Sequence, residues 1–152
     1  MSTLRVAPGW CWYWLLVVTI VVAVFALSLL LAPAMLVQFF SLIMYASAGV
    51  IGDFGDAAVA YIRLIHGVLG AVMLGWATLM LWVICGPFRR LESGAWSMLS
   101  VSLLIWFVPD TAFSLWTGFW QNALFNLLFA ASYAVPLACT YRQFHPLDPA
   151  PS

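Results

Sequence analysis

Residues 11–31 run for 21 positions without a single charged side chain. An α-helix needs about 20 such residues to cross about 30 Å of hydrocarbon. In lipid, the backbone N–H and C=O groups must find partners within the segment itself, so a run like this crosses as a helix. Three more apolar stretches follow, at 57–85, 95–116 and 121–140, and their only charged residues are Arg63 and Asp110. The chain as a whole is 66% hydrophobic and 7% charged, where a soluble domain averages about 45–50% and about 25%. That leaves too little polar surface to cover a soluble globule. The sequence predicts an all-α membrane protein, a single membrane domain over residues 1–152 built as a four-helix transmembrane bundle. Little length remains for a soluble domain. Net charge is zero and there is no lysine, which argues against a nucleic-acid partner.

The breaks between the stretches set the topology. Pro33 interrupts the helix after the first span. Residues 35–51 stay apolar but carry Gln38, Ser41, Ser47 and Gly49, and Asp53, Gly55 and Asp56 form a polar turn. Gly86 and Pro87 stop the second span. Arg89, Arg90, Glu92 and Gly94 make a loop, and Gly118 makes a tight turn. The tail, 141–152, holds Pro146, Pro149 and Pro151 and is predicted to be irregular. With four spans, Arg5, Arg89, Arg90 and Arg142 share one side, opposite Asp53 and Asp56. Cytoplasmic loops carry the arginine excess, so both termini are predicted to be cytoplasmic. A fifth span at 35–51 would separate Arg5 from Arg89 and Arg90. That segment is therefore predicted to be interfacial or re-entrant. The first run exceeds the roughly 7–15 residues of a signal-peptide core, so it is read as a retained helix despite the Ala-Pro-Ala at 32–34. Trp10, Trp12, Tyr13, Trp14, Trp82 and Trp96 suit an inner aromatic belt, and Trp116 and Trp120 an outer one. Trp76 and Trp106 fall near mid-membrane.

Polar residues inside the spans are the candidates for chemistry. Counted from the outer ends of their helices, Arg63, His66, Asp110, Asn122 and Asn126 lie at similar depths. Arg63 and His66 are three apart, and Asn122 and Asn126 four apart, so each pair shares a helix face. Trp106, Asp110 and Ser114 share another. A charge in hydrocarbon costs at least about 2.5–3.5 kcal/mol, which predicts an Arg63–Asp110 pair with His66, Asn122 and Asn126 around it. Trp76 and Trp106 would floor the pocket. Such a cluster either binds a ligand or fixes helix packing, since polar residues also hold membrane helices together. His66 alone could ligate a haem or pigment or pass a proton. The one other histidine, His145, lies in the tail.

Gly67, Ala71 and Gly75 recur every four residues, the small-residue spacing that lets membrane helices approach closely. This predicts close helix packing there, within the chain or with a protein partner or second copy. Cys11, Cys85 and Cys139 are odd in number and contain no CxxC pair, which reads as apolar filling and not as a disulfide framework or metal site. The sequence contains no metalloprotease helix, phosphate loop or nucleophile elbow, and no catalytic residue is assigned.

The order of features is similar to that of the small DoxX-like and BphX-like membrane proteins of bacteria. The carriers are Pro33, the segment RLIHGVLGAVMLG from Arg63 to Gly75, and DTAFSLWTGFWQNALFNLLF from Asp110 to Phe129. The resemblance covers residues 11–142. It implies a four-helix arrangement in a bacterial inner membrane, with partners among oxidoreductases and some links to quinone or thiol redox. The functional expectation is an accessory subunit or a binder of a small lipophile that requires no cofactor. The alternatives are a quinone- or haem-linked oxidoreductase component using His66, or a small proton-coupled transporter using Asp110.

Overall fold

The structure, a computed structural model, describes Ala7 and residues 9–145. Arg5 and the three tail prolines lie outside these residues. Five α-helices follow one another: α1 (Gly9–Leu31), α2 (Pro33–Tyr45), α3 (Asp56–Val83), α4 (Ala95–Trp116) and α5 (Trp120–Phe144). A 3-10 turn, Val50–Phe54, leads into α3, and a π-helical turn, Ile84–Phe88, prolongs it. There is no strand among the described residues. α1, α3 with its π turn, α4 and α5 are long and apolar enough to cross a membrane. α2 has 13 residues and reaches about 20 Å, short of a hydrocarbon core of about 30 Å.

The local sequence explains most of these boundaries. Pro33 ends α1 and opens α2, standing in a first turn where its missing N–H has no intrahelical partner to lose. α2 stops at Ala46, which takes a left-handed conformation with φ 56°. Gly118, at φ 86°, closes α4. Its amide donates to the Leu115 carbonyl at 3.2 Å, and the Phe119 amide donates to the Ser114 carbonyl at 2.8 Å. This paired closure satisfies two helix-end carbonyls and needs a residue tolerant of positive φ. α5 runs further than predicted. Residues 141–144 are helical and not irregular. Tyr141 packs edge-on against Trp96 at 5.2 Å and stacks on His145 at 4.5 Å. The breaker is Pro146, which disfavours helix only from the residue before it.

The long helices alternate in direction. At one end, the Ala7 amide donates to the Arg89 carbonyl, Phe88 meets Phe144 at 4.9 Å, and the Trp96 indole donates to the Leu137 carbonyl. Arg89, Arg90 and Arg142 belong to this arginine end. At the other, the Gln121 amide donates to the Met44 carbonyl at 3.2 Å, and Tyr45 sits 6.1 Å from Phe119. Asp53 and Asp56 belong to this aspartate end, which α2 crosses from α1 to α5. α1 packs along α3, α4 packs along α5, and α1 also meets α5. α3 and α4 touch little.

The close approach on α3 is made by Gly70, not by the Gly67–Ala71–Gly75 stripe. A Cβ on Gly70 would stand 2.6 Å from the Ala26 carbonyl oxygen and 2.8 Å from the Leu30 nitrogen, whereas one on Gly67 or Gly75 would meet nothing within 4 Å. The buried positions of α3 are Gly70, Ala77 and Met80. Successive helix residues turn by about 100°, so the face bearing Gly70 is about a quarter-turn from the face bearing Ala71. Ala71 is exposed. Two hydrogen bonds tie α1 to α5. Tyr133, fully buried, donates to the Thr19 hydroxyl at 2.8 Å, because that hydroxyl already donates to the Leu15 carbonyl. The Trp14 indole donates to the Ser132 carbonyl at 2.9 Å.

Candidate functional site

Three of the five candidate polar residues, Asp110, Asn122 and Asn126, gather between α4 and α5, near the aspartate end. Asp110 and Ser114 are one turn apart on α4, and Asn122 and Asn126 are one turn apart on α5, so the antiparallel pair brings all four together. The Ser114 hydroxyl donates to its own helix at the Asp110 carbonyl, 2.7 Å away. Its oxygen then accepts from the Asn122 amide at 2.8 Å. The same amide reaches the Asp110 carboxylate oxygen Oδ1 at 3.2 Å. One turn deeper, Asn126, only 3% exposed, donates to the Thr111 hydroxyl at 3.4 Å. Every donor to the Asp110 carboxylate is a neutral group.

Arg63 is not among them. Among the described residues the one salt bridge joins Arg90 to Glu92 in the loop before α4, and Arg63 is exposed. The reason lies in the unequal helix lengths. Trp76 and Trp106 mark a common level, their rings 6.3 Å apart. From there Arg63 lies 13 residues toward the aspartate end and Asp110 four. At about 1.5 Å per residue, Arg63 stands roughly 14 Å beyond Asp110 along the axis. α3 with its π turn has 33 residues against 22 for α4, so equal distance from the helix end is not equal depth. The Arg63–Asp110 pair is therefore corrected to an uncoupled arginine and a carboxylate held by amide and hydroxyl groups.

His66 also stands apart from the cluster. Its Nδ1 donates to the Ile62 carbonyl at 2.8 Å, and its ring meets Phe40 of α2 edge-on at 5.5 Å. The bond fixes the proton on Nδ1 and leaves Nε2 without a hydrogen bond. Trp76 and Trp106 lie side by side on the arginine side of Asp110. The Trp76 indole donates to the Ser102 hydroxyl at 2.7 Å, and Trp106 packs edge-on against Phe129 at 5.1 Å. A shallow apolar groove of about 250 Å³ lies on the outside of α5 against α2, lined by Ile43, Trp120, Gln121, Leu124, Phe125 and Leu128.

Thr111 escaped the sequence reading, although its spacing from Ser114 placed both hydroxyls on the α5 side. No group of three or more metal-ligating side chains occurs among the described residues. Cys11 is buried, and Cys85 and Cys139 are exposed, all as free thiols. Comparison with protein-family models, with curated proteins and with solved structures found no match to this chain.

Proposed function

We propose that this chain is a small multi-pass membrane protein that binds a lipophilic molecule, alone or as an accessory subunit, through the polar cluster between α4 and α5. The observation that carries this reading is Asp110, an acidic side chain inside a span whose hydrogen-bond partners among the described residues are the neutral Asn122 and Ser114. A carboxylate so placed is costly in hydrocarbon, and ionisable groups within spans mark binding or transport pathways. Sites for small hydrophobic ligands combine apolar walls with a few convergent polar groups. Here those are Trp76 and Trp106 with Asp110, Asn122 and Asn126. The bare Gly67, Ala71 and Gly75 face of α3 is the surface offered to a protein partner. The positive-inside rule and the resemblance to DoxX-like proteins support a reading in which the arginine end faces the cytoplasm across a bacterial inner membrane. Native mass spectrometry of the purified chain tests the binding reading. A lipophile that stays bound to the wild type should be lost from Asn122→Leu, which keeps the branched shape and removes both hydrogen bonds. Identical spectra from the two proteins would refute the site.

A second reading rests on His66. A histidine that donates Nδ1 to a backbone carbonyl and leaves Nε2 open has the arrangement found in metal and haem ligation. A visible absorbance band that is absent from His66→Gln would favour an oxidoreductase component. Colourless wild-type protein would exclude haem.

A further inference from the structure

The chemistry of the cluster narrows what class of lipophile it takes. This inference rests on the binding reading above and goes one step past it. Asp110 carries the only formal charge in the cluster. Among the described residues no hydrogen bond reaches its Oδ2 oxygen, and its Oδ1 is met by the Asn122 amide and, at 3.3 Å, by Ser114. The Ser114 proton is already directed to the Asp110 backbone carbonyl. Arg63 is roughly 14 Å away along the axis, and Arg89, Arg90 and Arg142 lie at the far end of the bundle. A carboxylate in low dielectric gains most from a positive charge brought close to it, and among the described residues none pairs with Asp110.

Two further features describe the body such a ligand would have. Trp106 is one turn from Asp110 on the same face of α4, and it continues into Trp76 and Phe129. Aromatic faces attract organic cations as well as apolar groups. α3 and α4 touch little, and the half-buried Trp76 and Trp106 line the seam between them, with the Trp76 indole reaching Ser102 of α4. A divalent metal does not fit, because a single carboxylate with neutral amides falls short of the ligand sets such ions take. An anion would meet the carboxylate unscreened.

We propose that the α4–α5 cluster binds a hydrophobic monovalent organic cation, its charge against Asp110 and its apolar body along Trp106 and Trp76. The test uses the full chain purified in detergent. Tetraphenylphosphonium, permanently charged and apolar, is compared with neutral triphenylphosphine oxide by equilibrium dialysis. The wild type should bind the phosphonium about tenfold more tightly or better. Asp110→Asn should lose that preference, and Asp110→Glu should keep it. Equal binding of both probes would overturn the cation assignment and leave the lipophile reading standing. Binding of neither probe to folded wild type would remove both. Should Asp110→Asn fail to fold, the wild-type ratio of the two probes and the Asp110→Glu variant still decide the matter.

Discussion

Gly67 and Gly70 stand three residues apart on α3 and answer differently to an added methyl group. At Gly70 the methyl would collide with the backbone of α1 at Ala26 and Leu30, which has no side-chain freedom to yield. Overpacking of this kind costs about 1–3 kcal/mol. At Gly67 the methyl meets open space, and alanine is the better helix former by about 1 kcal/mol. Thermal melting in one detergent should therefore show Gly70→Ala clearly lowered and Gly67→Ala level or raised. Equal shifts would mean that α1 and α3 do not pack through Gly70. Spacing alone could not separate the two glycines. The stripe at 67, 71 and 75 has the regular period, but a helix can bury only the face its neighbour occupies, and Ala77 and Met80 place that face with Gly70. Asp110 and Asn122 were legible for the opposite reason. Each is a polar residue in an apolar span, and a turn as short as 117–119 makes α4 and α5 antiparallel neighbours.

At the scale of the helix, prolines open holes that other elements close. Pro136 lies inside α5 and has no N–H, so the Ser132 carbonyl four residues earlier loses its donor. Trp14 of α1 supplies one through its indole at 2.9 Å. Pro87 lies in the π turn that ends α3, and there the Trp12 indole donates to the Ile84 carbonyl at 3.0 Å. These two tryptophans were assigned to an interfacial belt from composition, and they also splice α1 to its neighbours. Trp14→Phe should lower stability by about 0.6 kcal/mol, the average for hydrogen bonds between membrane helices, and by no more than about 1.7 kcal/mol. In a Pro136→Ala background, where the helix meets its own carbonyl, the same change should cost much less. A double-mutant cycle by thermal unfolding measures that coupling, and additive effects would refute it. The four spans themselves were readable because length and apolarity are local properties. The end of α5 was not, because the Trp96–Tyr141–His145 packing that holds residues 141–144 in the helix is a tertiary contact. The missing Arg63–Asp110 pair has a similar cause: relative depth depends on how helices of different length are aligned, and no single segment records that.

For the molecule as a whole, the charges sort largely by end, with Glu92 at the arginine end and Arg63 near the aspartate end as exceptions. Arg89, Arg90 and Arg142 stand at one end, and Asp53 and Asp56 at the other. Under the positive-inside rule, reporter fusions after Ser93 and at Ser152 should both give cytoplasmic signals. A periplasmic signal from either fusion would overturn the orientation. The helices do not end on one plane, however. α3 with its π turn is 11 residues longer than α4, and a flat bilayer cannot match both lengths. Surplus length is taken up by leaning, by standing clear of the hydrocarbon or by deforming the lipid nearby. The aspartate end is thus a stair and not a floor, with Arg63 near the top tread and Asp110 below the lower one. Lipid beside α4 has a shorter wall to cover than lipid beside α3, and the carboxylate lies on the side of the shorter wall.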